Sequence, residues 1–376
     1  MHKALHGNTL SEQFFNLRNR FLSSASFQNW AQKNPFTQWL ARRRVRQLFH
    51  LCTGFVHTQV LLACVQAGLF ERLQKGPLPL ARIATAIGLS EQRTATLLAA
   101  ANALQLIERR PDDVYGLGVL GAALCGNPSL VDMVQHHRLL YQDLDDPLGM
   151  LRGDAPTSRL SHYWPYAAAG NPVALASQEV REYTQLMASS QQLVCDQILS
   201  AYVLRQHRRM LDIGGGDGTF LLESARRWPG LQLALFDLPP VAAIASQRIE
   251  AAGLSGRIST LSGDFHCEPL PTGYDLMTLV RVVHDHDDPE VLRLLRAIRV
   301  ALAPGGVLLI AEPLAAADSG GRLADAYFSF YLAAMGKGRP RTRHSLEKLL
   351  EQAGFRHFRW HRTSLPILVS VLSART

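Results

Sequence analysis

The sequence predicts an α/β fold: a doubly wound, largely parallel sheet ending in an antiparallel C-terminal hairpin, preceded by an all-helical, winged-helix-like domain. Three observations predict it. From about residue 200, short apolar runs alternate with amphipathic ones, the rhythm of strands and crossover helices. A glycine-rich loop, "GGGDG" at 214–218, directly follows the first of these strands. Before that, apolar spacing is helical, interrupted by one hairpin-like stretch, "LIERRPDDVYGL". With 376 residues the chain exceeds one ordinary core, and two domains are expected, 1–195 and 196–376.

Residues 1–50 are polar and arginine-rich, with Phe and Trp interspersed. Pro35 separates two expected helices. The run Arg42, Arg43, Arg44, Arg46 suits phosphates or lipid headgroups, and equally a solvated helix face. "LCTGFVHTQVLLACV" (51–65) contains His57 and Gln59; it reads as a buried helix, too short and too polar to span a bilayer. Residues 80–117 read as a short helix, a turn at Gly88-Leu89-Ser90, a second helix capped by Ser90, and the hairpin. This is a winged-helix pattern, so DNA binding has to be weighed. The second helix, "EQRTATLLAAANALQ", offers few side chains that read base edges. Helical packing or dimerisation is expected there, and no nucleic acid. In "SHYWPYAAAG", Tyr163, Trp164 and Tyr166 either line an apolar pocket or fill core.

The second half follows in order. "RRMLDIG", "LQLALFD", "ISTLSGD", "YDLMTLVRVV" and "GGVLLIAE" read as strands, "HFRWHR" and "PILVSVLS" as the closing hairpin. "TFLLESARRW", "VAAIASQRIEAAG" and "PEVLRLLRAIRVAL" read as the helices between strands. Hydrophobic residues make up 47% and charged residues 19%, an ordinary globular balance. The net charge is +8, carried almost wholly by arginine, which favours anionic partners. Cys52, Cys64, Cys125, Cys195 and Cys267 form no CxxC pair, and the N-terminal residues lack the apolar segment of a secretory leader. A reducing cytoplasm is the expected location.

In an open α/β sheet the ligand lies at the carboxyl ends of the strands. Gly214, Gly215, Gly216 and Gly218 sit there after the first strand, and missing Cβ atoms let the backbone approach a ligand. The spacing is neither the GxGxxG of dinucleotide folds nor a triphosphate loop. Asp237 ends the second strand, about 20 residues on, where a carboxylate accepts from ribose hydroxyls. Asp264 and Phe265 end the third; they suit an adenine amine and ring. Glu312 ends the fifth.

In that order "LDIGGGDG", "FDLP", "GDF", "HDHDD", "LAPGG" and "AEP" resemble the class I S-adenosylmethionine-dependent methyltransferases over residues 210–376. Within them, the order resembles the O-methyltransferase family of plant caffeate and animal acetylserotonin enzymes. That family sets a helical, winged-helix-like dimerisation domain before a Rossmann-like methyltransferase sheet. The segments 18–65 and "FYLAAMGKGRPRT" narrow the likeness to the O-methyltransferases of purple photosynthetic bacteria that act on acyclic carotenoids such as demethylspheroidene and hydroxyneurosporene. The resemblance implies S-adenosyl-L-methionine as methyl donor, no metal, a carotenoid tertiary hydroxyl as acceptor, a homodimer, and peripheral association with the photosynthetic membrane. Phenolic or polyketide O-methylation, bacteriochlorophyllide C-methylation, and a winged-helix regulator sensing S-adenosylmethionine stay open as alternatives.

The resemblance also implies site residues. His284 in "LVRVVHDHDDPE" matches the family's general base, and Glu312 the acid that orients it. Asp212, Gly214, Gly216, Asp237, Asp264, Phe265 and Arg281 match cofactor-binding positions. Asp212 is expected at the methionine amino group through water, Arg281 beside adenine. His286 stands where the family has tryptophan, and Pro340 where phenol-methylating members carry a second acid. "HDHDD" offers metal-ligand residue types, yet contiguous residues after a strand rarely converge on one ion. Asp287 or Asp288 is expected to cap the next helix instead. A tertiary alcohol is far less acidic than a phenol, so the base has to take the proton as the C–O bond forms.

Overall fold

A computed structural model describes residues 10–153, 158–163, 191–315 and 321–375. Trp164 and Tyr166 lie outside the described residues. The chain divides into two compact units, Met1–Cys125 and Gly126–Thr376.

The first unit runs α1 (Leu10–Ser23), α2 (Ala25–Lys33), α3 (Gln38–Gln66), α4 (Leu69–Gln74), β1 (Leu78–Pro79), α5 (Leu80–Ile87), α6 (Glu91–Ala103), β2 (Ile107–Arg110), β3 (Val114–Leu117) and α7 (Val119–Cys125). Gly88 ends α5 in the left-handed region, and Ser90 caps α6 by accepting from the Arg93 N–H at 3.4 Å. Leu69, Ile83, Leu98 and Ile107 are fully buried and hold these elements together. The strands pair antiparallel in the order β1-β3-β2, so this winged-helix-like unit carries a small sheet and is not purely helical.

The helix expected to be buried is largely bare within the chain. Only Leu62, Cys64 and Val65 of α3 are buried, while Leu51, Phe55 and Val56 are exposed. Among the described residues nothing covers its outer part. Length also differs: α3 has 29 residues, with a mean hydropathy of 1.6 over its most apolar stretch, so by length and composition it could cross a membrane.

The second unit begins with α8 (Pro128–Asp143), α9 (Pro147–Arg152) and α10 (Arg159–Tyr163). After helical residues 191–201 come β4 (Arg209–Ile213), α11 (Thr219–Arg227), β5 (Gln232–Asp237), α12 (Pro239–Ala251), β6 (Ile258–Ser262), β7 (Tyr274–Val280), α13 (Asp288–Ala301), β8 (Leu302–Glu312), α14 (Gly321–Met335), α15 (Arg343–Ala353), β9 (Arg356–His361) and β10 (Ser370–Arg375). The sheet order is β6-β5-β4-β7-β8-β10-β9. β10 runs antiparallel to both β8 and β9, and the remaining pairs are parallel. Each face carries an apolar layer, one including Met210, Phe220 and Leu276, the other Leu211, Leu295 and Phe355. Strands buried on both faces explain their unbroken apolar runs.

The boundary expected at 195 differs from the division found at 125/126. Leu140 of α8 and Leu160 of α10 pack with Leu332, Ala334 and Met335 of α14. The pairs His136–Tyr331 and His137–Tyr327, each at 2.9 Å, add to that seam. Helical periodicity alone does not reveal which sheet a helix covers.

Candidate active site

β4 ends in a buried Ile213, and the chain turns through Gly214 and Gly216 at φ +68° and +60°. An L side chain is strained in that region, which is why glycines stand there. Asp237, at the end of β5, holds the loop: Oδ2 accepts from the Gly216 N–H at 2.8 Å and Oδ1 from Leu238 N–H at 2.7 Å. Burial pushes its carboxyl up to about 6, against these hydrogen bonds.

Asp212 lies one residue inside the strand and is buried. Its Oδ1 accepts from the Thr278 hydroxyl at 2.5 Å, whereas Oδ2 is buried with no hydrogen-bond partner. Burial pushes this carboxyl up to about 7. A methyl at Gly215 would stand 2.8 Å from the orphaned oxygen, so only glycine leaves the space beside it open. An unsatisfied buried acceptor under a glycine loop suits a ligand that brings a donor or a positive charge.

Asp264 and Phe265 follow β6. Asp264 Oδ1 accepts from the His266 N–H at 2.8 Å, turning the chain so that Phe265, His266 and His286 cluster, with ring centroids 4.5 to 5.4 Å apart. Burial pushes His286 down to about 3, so this ring is neutral and acts as an aromatic wall.

The strand expected through Val283 stops at Val280, because Arg281 has φ +57° and the chain kinks. His284 therefore sits in a single 3₁₀ turn, Val283–Asp285. Its Nδ1 is 2.5 Å from Glu312 Oε2. Glu312 Oε1 accepts from Val282 N–H at 2.8 Å and Val283 N–H at 2.6 Å. One carboxylate thus fixes both the ring and the turn that carries it. His284 Nε2 lies 3.1 Å from Asp285 Oδ1. Burial opposes charge on the ring, yet Asp285 and Glu312 outweigh it and hold His284 above the ordinary histidine value. Burial also raises Asp285. The Arg281 charge acts on His284, Asp285 and Tyr327.

Segment 336–342 latches this turn. Arg341 is buried; its Nη1 donates to the Val283 carbonyl at 2.5 Å and its Nη2 to the His286 carbonyl at 2.7 Å and to Asp288 at 2.7 Å. The Arg339 N–H donates to the His284 carbonyl at 2.9 Å. Gly338, at φ +79°, packs so closely that a Cβ would strike that carbonyl. The segment holds no acid, as the sequence indicated; the second carboxylate near the ring is Asp285.

The five residues of "HDHDD" point in different directions. His284 goes to Glu312, Asp285 to Nε2, His286 to Phe265, Asp287 to a capping box with Glu290, and Asp288 to Arg339 and Arg341. Among the described residues no group of three or more His, Cys, Asp or Glu is placed to hold a metal. Every proposed site residue lies at the carboxyl end of β4 to β8. Asp285 and Arg341 were missed: Asp285 was visible only as a neighbour of the base, and Arg341 acts through backbone carbonyls, which leave no sequence pattern.

Two families match the chain: an O-methyltransferase domain over residues 141–356 and an O-methyltransferase dimerisation domain over 49–127. A Cereibacter sphaeroides protein named demethylspheroidene O-methyltransferase is 39% identical over 94% of this chain and 93% of its own. One of the same name from Rhodobacter capsulatus is 40% identical over 91% and 85%. Among solved structures, human N-acetylserotonin methyltransferase in complex with SAM superposes with a TM-score of 0.73 at 26% identity, covering 89% of this chain and 97% of that one.

Proposed function

The chain belongs to the O-methyltransferase family, and we propose that it transfers a methyl group from S-adenosyl-L-methionine to the tertiary hydroxyl of an acyclic carotenoid in spheroidene biosynthesis. The observation that carries the chemistry is the His284–Glu312 pair, set on the strand ends that also carry the glycine loop. The likeness to demethylspheroidene O-methyltransferases along nearly the whole chain supports the acceptor. The matched dimerisation domain supports a homodimer. A membrane-dissolved acceptor supports a cytoplasmic enzyme working peripherally at the membrane.

The donor fits the residues present. Gly214 and Gly216 let it approach the backbone, Asp237 is placed for its ribose, Asp264 and Phe265 with His286 for its adenine, and the orphaned Asp212 Oδ2 for its ammonium. When bound, it supplies an electrophilic methyl on a sulfonium. Glu312 accepts from Nδ1–H of His284 and so leaves the Nε2 lone pair as the base. Nε2 takes the hydroxyl proton as the C–O bond forms and the methyl–sulfur bond breaks, its electron pair leaving with neutral S-adenosylhomocysteine, while Glu312 and Asp285 stabilise the imidazolium. Arg341 keeps the turn from drifting, which matters because the attacking oxygen must be aligned.

The test is labelled-methyl incorporation by purified protein into demethylspheroidene in detergent micelles, alongside a phenolic acid and a bacteriochlorophyllide. A methoxy carotenoid as the sole labelled product is expected. Transfer to the phenol or the tetrapyrrole alone would replace the proposed acceptor, and no transfer at all would remove the reaction.

A further inference from the structure

We propose that α1, α2 and the first part of α3, residues 10–48, ahead of the matched dimerisation domain, form a docking surface for an anionic phospholipid bilayer. The proposal extends the reading of a membrane-dissolved acceptor by naming the surface that meets the membrane.

The sequence is one-sided here. From residue 13 to residue 70 there is no Asp or Glu, while Arg18, Arg20, Lys33, Arg42, Arg43, Arg44 and Arg46 all fall in that stretch. These seven charges nearly account for the net charge of +8. The same stretch leaves large apolar side chains in solvent. Phe14 is 63% exposed, Trp39 61% and Phe36 87%. The Arg18 guanidinium lies 4.9 Å from the Phe15 ring centroid, so cation and aromatic share one surface. A cleft of ≈ 680 Å³ is lined by Gln32, Arg42, Val45 and Arg46, two cations beside an apolar wall.

Aromatic and leucine side chains sink into the acyl boundary while arginines stay with the headgroups. The cleft matches that pairing on a small scale: a phosphate meets Arg42 and Arg46, and an acyl stem meets Val45. A second copy of this chain is the poorer occupant, because two surfaces with seven cations and one acid, Glu12, would face each other with the same sign. A nucleic acid would satisfy the arginines but leave the exposed Phe and Trp side chains mostly uncovered. Residues 10–48, which carry all seven of these cations, also lie outside both matched families, which begin at residues 49 and 141.

The experiment is vesicle sedimentation of the full chain, with no acceptor present, on phosphatidylglycerol–phosphatidylcholine vesicles and on pure phosphatidylcholine. Binding is expected on the anionic vesicles, weakened by salt. Replacing Arg42, Arg43, Arg44 and Arg46 together by Ser should lower the partition on the order of 100-fold or more. A second variant, Phe14→Ser with Phe21→Ser, should lower it on both vesicle types. Both variants should keep their dimer mass by light scattering and their turnover of micelle-dissolved acceptor. Equal binding to neutral and anionic vesicles, unchanged binding by the arginine variant, loss of the dimer in either variant, or preferential capture of RNA in a mixed assay would each overturn the proposal. Because turnover is read separately, a failed acceptor assignment does not disturb the vesicle result.

Discussion

His284 Nδ1 and Glu312 Oε2 lie 2.5 Å apart although the two residues are 28 positions apart in sequence, one in the turn after β7 and the other at the end of β8. The parallel pairing of β7 with β8 brings them together, with Val280 opposite Ala311. The carboxylate also accepts from the two backbone N–H groups just before the base. Glu312→Gln replaces an acceptor by a group that must also donate. Turnover should fall by about 10²–10⁴-fold, the usual worth of a positioned base. Donor affinity by calorimetry should stay near the parent value, and a parent-like turnover would remove Glu312 from the mechanism.

The pH profile gives a second check. His284 is held above the ordinary value of 6.5, and the proposed mechanism needs the neutral ring. Turnover should therefore rise with pH through a midpoint above 6.5 and level off on the alkaline side. Asp285→Asn removes one of the two carboxylates that favour the charged ring, so the midpoint should move to lower pH. A midpoint that stays put in this variant would separate Asp285 from the base.

Asp212 offers a test that separates binding from stability. Its folded carboxyl is pushed up from 3.8 to about 7 by burial. Between those values the folded state holds a proton that the unfolded state has released, so donor-free protein loses stability as pH rises through that window. Asp212→Asn should abolish that loss, leaving a Tm at pH 8 equal to or above the parent. The same variant should bind S-adenosylmethionine at least tenfold more weakly, one hydrogen bond to a charged group being worth roughly 1.5–3 kcal/mol. Weaker binding with a lower Tm would point to a structural role instead.

Arg341 holds the turn that carries His284, and in the proposed mechanism it positions that ring. Arg341→Lys keeps the charge but cannot span the Val283 and His286 carbonyls and Asp288 at once. Turnover should drop by about 10²-fold, as for a displacement near 1 Å, while the donor Kd holds. Stopped-flow single turnovers would show whether the methyl-transfer step itself has slowed; a loss confined to KM would argue for an acceptor contact.

The sheet was legible because fully buried parallel strands write themselves as apolar runs, and β5 and β8 each end in a carboxylate, Asp237 and Glu312. Asp237 and Glu312 could be named one by one for that reason. The break at Arg281 was not legible: it depends on a positive φ at a non-glycine residue, which no residue preference announces. Nor was the exposure of α3, since apolarity tells which face seeks cover and not what supplies it. The domain boundary slipped because α8 and α10 are ordinary helices whose partner, α14, comes more than 150 residues later. "GKGRPRT" was noted for the acid it lacks, while the residue that matters there works through main-chain oxygens.

The position of β10 between β8 and β9 has a consequence for biosynthesis. During translation β8 leaves the ribosome with one edge bare, and its pairing partner, residues 370–375, is made only after β9. Ser370 lies opposite Glu312 in that late pairing, so the strand end bearing Glu312 is braced last. A nascent chain stalled before residue 370 should expose β8 to protease and chaperone, and show no methyl transfer.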